Sequence, residues 1–151
     1  MSFENLPTLI GEPLAERGYT ALTPVQVAVI APEAKGRDLI VSAQTGSGKT
    51  VAFGIALADE MLAEIRGTPL VERPLALVVA PTRELALQVS RELGWLYAKA
   101  GLRIATCVGG MDASKERRAL RGGAAVVVGT PGRLRDRSPA RALSLHDQKF
   151  L

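Results

Sequence analysis

An α/β fold, with a parallel sheet covered by helices on both faces, follows from three features of the sequence. Four short apolar runs, at residues 38–42, 75–80, 103–108 and 124–128, alternate with stretches of helical periodicity. The run at 75–80 is apolar throughout, as a strand buried on both faces must be. Glycine, threonine or proline follows each run, which fits strands that all turn at the same end. Alternating strands and helices imply right-handed crossovers and hence a parallel sheet.

The first seventeen residues carry Leu6, Leu9, Ile10 and Leu14 at near-helical spacing, broken by Pro7 and Pro13, so a short helix or turns are expected there. Gly18 and Tyr19 end that segment. Thr23 then caps a helix, Pro24 suits its first turn, and Gln26 stands three residues after the cap, which is the spacing of a capping box. Gln26 has two readings at this point: its amide satisfies the Thr23 backbone N–H, or it presents a donor and an acceptor to an adenine edge.

Residues 43–50, A-Q-T-G-S-G-K-T, follow the first strand and fit the phosphate-loop pattern apart from its first glycine. Small residues let successive N–H groups turn inward to form an anion nest, and a helix starting there adds the positive end of its dipole. Thr45, Gly46, Ser47 and Gly48 would line that nest. Lys49 would place its charge on the terminal phosphates of a nucleotide, and the Thr50 hydroxyl would ligate magnesium. The helix that follows, residues 51–65, is rich in Ala, Leu, Met and Glu.

A loop is expected over residues 66–74, which contain Gly67, Pro69 and Pro74. After the second strand, Pro81, Thr82, Arg83 and Glu84 open a helix with Leu85, Val89, Leu93 and Leu96 at helical spacing, running to about Ala100. Gly109 and Gly110 stop the third strand, and a short basic helix covers 113–121. The fourth strand runs into Gly129, Thr130, Pro131, Gly132 and Arg133. From 134 to 149 the pattern weakens, Ser138 and Pro139 interrupt it, and Phe150 and Leu151 begin a fifth strand.

With 151 residues and 47% hydrophobic residues, the chain can build one domain with a real core. No apolar run approaches the roughly 18 residues a membrane span needs, and Glu4 disrupts a signal-peptide start, so a cytoplasmic protein is expected. The single cysteine, Cys107, reads as a buried small hydrophobe, and the single histidine, His146, as a loop residue; no metal-ligand cluster is in view. Net charge is +4, with eight of the 19 basic residues between positions 115 and 141 against two acids, Glu116 and Asp136. That third of the chain is the candidate polyanion face. Internal repeats and low-complexity segments are absent.

In a parallel sheet the four strand ends share one edge, where open α/β sheets bind ligands. Each threonine there reads singly as a helix cap and each glycine as a turn. Together with Arg83 and Arg133, they point to a second, extended anion beside the nucleotide, such as a nucleic-acid backbone.

The order and spacing of Gly18, Tyr19 and Thr23–Gln26, of the phosphate loop, of P-T-R-E-L-A at 81–86, of Gly109 and Gly110, and of T-P-G-R at 130–133 resemble the N-terminal RecA-like domain of a DEAD-box ATP-dependent RNA helicase. The resemblance covers nearly the whole chain. It implies a RecA-like P-loop domain, incomplete at its C-terminus, with a glutamine-motif region at 1–35, a P-loop core at 36–151 and no second RecA-like domain. It implies that Gln26 reads adenine, Phe3 packs against the base, and residues 45–50 hold ATP and Mg2+, with Lys49 and Thr50 the catalytic groups. Thr82, Arg83, Gly109, Gly110, Thr130 and Arg133 would touch the RNA sugar-phosphate backbone without regard to sequence.

The family's Asp-Glu-Ala-Asp strand, its Ser-Ala-Thr motif and the second domain do not occur in these 151 residues. Asp59 and Glu60 imitate part of the acidic motif but lie in the helix after the phosphate loop. The resemblance therefore implies an NTP-hydrolysing enzyme by family and a chain that by itself hydrolyses ATP poorly, the alternative being an inactive adenine-nucleotide and RNA-binding module. A fragment of a longer protein, or a chain completed by a partner strand, is expected. The missing strand is expected beside the phosphate-loop strand, inside the sheet.

Overall fold

The structure, a computed structural model, describes residues 3–65, 74–110, 112–137 and 149–150. Residues 66–73 of the loop expected over 66–74, together with Ser138, Pro139, Arg141, His146 and Leu151, lie outside the described residues.

Three of the four apolar runs pair into a parallel sheet: β1 (Ala76–Val79), β2 (Ile104–Cys107) and β3 (Val126–Gly129), joined at the edge by β4 (Lys149–Phe150). The order is β2-β3-β1-β4. Val79 and Cys107 both stand opposite Gly129, so the three long strands end level with one another. That alignment creates the shared edge at which Thr82, Gly109 and Thr130 follow the strands.

The pleat divides the apolar side chains between two faces. Ala76, Val78, Val126 and Val128 face a large core with α1 (Thr8–Glu16), α2 (Pro24–Ile30), α3 (Lys49–Ile65) and α4 (Arg83–Leu96). Leu77, Val127, Ala105 and Cys107 face a smaller one with Leu120 of α5 (Ala113–Arg121) and Leu134 of α6 (Pro131–Arg137). Helices therefore cover both faces, and Cys107 is a fully buried small hydrophobe among them.

Local chemistry sets the helix boundaries. Pro7 occupies the N-cap of α1, and Pro13 lies inside that helix without ending it; the helix stops after Glu16, and the Arg17 N–H returns to the Pro13 carbonyl. Thr82 caps α4, its hydroxyl accepting from the Leu85 N–H at 3.2 Å, and Asp112 caps α5, accepting from the Ser114 N–H at 2.8 Å. Helices α3 and α4 are locked by the Tyr97 hydroxyl, which donates to the Gly54 carbonyl at 2.6 Å. Burial pushes the Tyr97 pKa upward, so the hydroxyl remains a donor across the ordinary pH range. On the surface, Lys99 bridges Glu12 and Glu16 of α1, and the Arg17 guanidinium lies 4.8 Å from the Trp95 ring centroid.

One expectation fails. Residues 38–42 are not a strand: Leu39 is 43% exposed and Ile40 fully exposed. A strand exists by pairing, and among the described residues no strand pairs with this segment. The beginning of the fifth strand is β4, which pairs with β1, Ala76 opposite Lys149 and Leu77 opposite Phe150, and forms the outer edge of the sheet. A further finding adds an element, since the weak segment from Leu134 continues the helix α6, whose Leu134 enters the smaller core.

Candidate functional site

The phosphate loop runs from the unpaired segment into α3, whose first residue is Lys49. Gly46 and Gly48 take left-handed backbone angles, φ +80° and +82°, and the Ser47 N–H closes a tight turn onto the Gln44 carbonyl at 3.2 Å. Alternating handedness of this kind turns successive N–H groups toward one point, the geometry of an anion nest at a helix N-terminus. Thr45 and Gly46 are exposed at its mouth, Lys49 and Thr50 half-buried at its base. The Ser47 hydroxyl is buried without a hydrogen-bond partner. A buried orphan hydroxyl beside open nest N–H groups suits phosphate oxygens.

Gln26 is completely buried, and both of its amide atoms are engaged. Its Oε1 accepts from the Thr23 N–H at 3.0 Å, the capping-box contact expected from spacing. Its Nε2 donates to the Gly48 carbonyl at 3.3 Å, a contact across 22 residues that no local pattern announces. Gln26 thus latches α2 to the phosphate loop. An adenine edge would have to use the second hydrogen of Nε2 and the second lone pair of Oε1.

Beside this latch opens a cavity of about 660 Å³ between α2 and the unpaired segment, walled by Thr23, Pro24, Val29, Leu39, Val41 and Ser47 among others. Phe3 is not one of its lining residues; it stands on a 3₁₀ turn and packs against Gly11 of α1 and the larger core.

At the strand ends the structure brings the predicted anion-binding residues together. The Arg83 guanidinium lies directly over Gly110, where a side chain would collide with its Nη1. The Arg133 stem crosses Gly109, a Cβ there falling 3.3 Å from Arg133 Cδ. Both arginines therefore depend on the glycine pair for their positions. Arg133 Nη2 also donates to Glu116 Oε2 at 3.1 Å, and that carboxylate is 2% exposed. Sequence reasoning missed Glu116, counting it only as an acid in a basic run. Its spacing of four from Leu120 places the two on one helix face, which was the available signal. Thr130 is half-buried, its N–H donating to the Cys107 carbonyl, and Thr82 is engaged as the α4 cap.

The decoy acid Asp59 lies on α3 and pairs with Lys35 at 3.6 Å. Among the described residues, no group of three or more His, Cys, Asp or Glu side chains is placed to hold a metal. A magnesium ion at Thr50 would take its remaining oxygens from nucleotide phosphates and water, which is that ion's ordinary habit. No helix of the described residues is long and apolar enough to cross a membrane.

Against known proteins, residues 23–151 match the DEAD/DEAH box helicase family. The chain is 43% identical over 143 residues to DEAD-box ATP-dependent RNA helicase 53 of Oryza sativa subsp. japonica, covering 94% of this chain and 23% of the relative. It is 39% identical over 154 residues to the DEAD-box ATP-dependent RNA helicase CshA of Streptococcus pneumoniae, covering all of this chain and 28% of that one. Among solved structures it is similar to the RNA-helicase Prp28 from Chaetomium thermophilum bound to ADP, with a TM-score of 0.82 and 36% identity over 95% of this chain and 35% of that one. The chain thus spans about a quarter of the length of these curated relatives.

Proposed function

The chain belongs to the DEAD/DEAH box helicase family, and on that premise we propose that it forms the ATP- and RNA-binding face of an N-terminal RecA-like domain. The glutamine-motif region occupies 1–35 and the P-loop core 36–151. In the whole protein, a cytoplasmic ATP-dependent RNA helicase, ATP binding and hydrolysis would drive local opening of RNA duplexes together with a second RecA-like domain.

The bond from Gln26 to the Gly48 carbonyl is the observation that supports this reading best, because it ties a base-reading amide to the loop that cradles phosphates. Lys49 balances charge on the terminal phosphates, the nest N–H groups orient them, and Thr50 offers an oxygen to the magnesium ion, which supplies charge neutralisation when bound. Phe3 packs against the base. Arg83, Arg133, Gly109, Gly110, Thr82 and Thr130 hold a sugar-phosphate backbone at the strand ends, indifferent to sequence. Because the Asp-Glu-Ala-Asp motif does not occur in these 151 residues, the reading includes little ATP turnover by this chain on its own.

Two measurements test the proposal. Nucleotide titrations are expected to show ATP bound about tenfold more tightly than GTP, the discrimination of one bidentate base contact, with the preference erased by Gln26→Ala. Equal losses for both nucleotides would leave Gln26 as a latch only. RNA affinity is expected to fall steeply with salt, and Arg83→Ala to flatten that dependence by about one phosphate contact. An affinity indifferent to salt would remove the RNA assignment.

A further inference from the structure

Glu116 is the only acidic side chain among the described residues that is buried in the core. Taking a carboxylate out of water costs several kcal/mol unless it is paired, and an apolar residue beside Leu120 would have filled the same space without that penalty. The rest of α5 is basic and exposed at Lys115, Arg117, Arg118 and Arg121. The position of the carboxylate therefore calls for pairing, and Arg133 lies at 3.1 Å from it.

Three contacts converge on Arg133. Its backbone lies in the first turn of α6, which opens at Pro131 right after Thr130, its stem lies across Gly109, and one guanidinium nitrogen is held by Glu116. A guanidinium carries five N–H donors in a rigid fork. The Glu116 contact engages Nη2, Nε is buried without a hydrogen-bond partner, and the side chain as a whole is 31% exposed. On the next residue, Gly110, lies the guanidinium of Arg83. Two arginines therefore stand on consecutive glycines, and Arg133 is already paired with Glu116.

We propose that Glu116 is a positioning residue for RNA binding: through its ion pair it fixes the Arg133 guanidinium at the C-terminal edge of the sheet, so that Arg133 meets a phosphate with pre-oriented donors. The inference rests on the reading of that edge as an RNA site. Because the carboxylate already offsets the charge of Arg133, the residue contributes direction more than net charge, and Arg83 carries more of the salt dependence.

The test measures binding of a short single-stranded RNA to the chain across a range of salt, for the wild type, Glu116→Ala, Glu116→Gln, Arg133→Ala, Arg83→Ala and the Glu116→Ala/Arg133→Ala pair. Glu116→Ala is expected to weaken binding about tenfold, the loss of one charge-assisted hydrogen bond, to match Arg133→Ala, and to add nothing in the Arg133→Ala background. Glu116→Gln keeps the accepting oxygen and releases the charge of Arg133, so it is expected to bind at least as tightly as the wild type with a salt slope steeper by about one contact. Wild-type affinity in Glu116→Ala, or an equal loss in the presence and absence of Arg133, overturns the proposal. Should Glu116→Ala fail to fold, Glu116→Gln decides: an unchanged slope overturns the proposal and a steeper one supports it. Failure of the RNA reading itself looks different, because then the wild type shows no salt-dependent binding and Arg83→Ala changes nothing.

Discussion

Replacing Gly48 by alanine is expected to destabilise the chain by about 3 kcal/mol, the sum of backbone strain and overpacking, and to abolish nucleotide binding. Gly48 has φ +82°, where an L-residue is strained by roughly 1–2 kcal/mol. The new Cβ would also fall 2.5 Å from Gln26 Nε2. That amide has little room to retreat, since it is fully buried and its oxygen is bound to the Thr23 N–H. Crowding a packed site typically adds about 1–3 kcal/mol. Gly46→Ala is the control: φ is +80° there, but an added Cβ meets nothing within 4 Å, so only the strain component should appear. Urea unfolding and ATP titration of both variants measure the difference. Equal destabilisation of the two would mean that the Gln26 latch adds nothing to the requirement for glycine.

Gly129→Ala is expected to destabilise by about 3 kcal/mol, at the upper end of overpacking effects, and to weaken RNA binding in the molecules that still fold. Gly129 ends β3 between two neighbours in register, Val79 and Cys107. An added Cβ would lie 2.7 Å from the Cys107 carbonyl oxygen and 2.8 Å from Leu134 Cγ and Cδ2. A strand paired on both sides cannot slide away, so α6 must give, and Arg133 moves with it. Thermal unfolding of the single variant and of Gly129→Ala/Leu134→Ala separates the two contacts. The double variant should recover only part of any clash energy, because the backbone oxygen remains. Full recovery would place the whole effect on Leu134.

The sheet was legible because β1 and β3 are buried on both faces for almost their whole length, and β1, β2 and β3 differ from the apolar runs only by a residue or two at their ends. Residues 38–42 carry the same kind of run and form no strand. Composition reports a preference for extended backbone, while pairing depends on what lies alongside. The helix α6 escaped notice because one leucine in a basic stretch makes no periodic pattern. In the site, the phosphate loop and the Thr23–Gln26 spacing are local signals and were readable as such. The reach of Gln26 to Gly48, and the resting of Arg83 on Gly110 and Arg133 on Gly109, are tertiary contacts. Glu116 was hidden for the same reason: its burial depends on α5 packing against the sheet and α6.

The unpaired backbone at 38–42 has a thermodynamic consequence for the loop it carries. Amides without a ladder partner are expected to exchange with solvent far faster than those of β3, and the loop is expected to be freer at its entry than at its exit, where α3 begins. A phosphate bound in the nest must order this tether, and the entropy of doing so is subtracted from its affinity. Any strand that paired with 38–42 would remove the penalty in advance. By linkage, phosphate and strand would then each tighten the binding of the other by the same factor, with no contact between them.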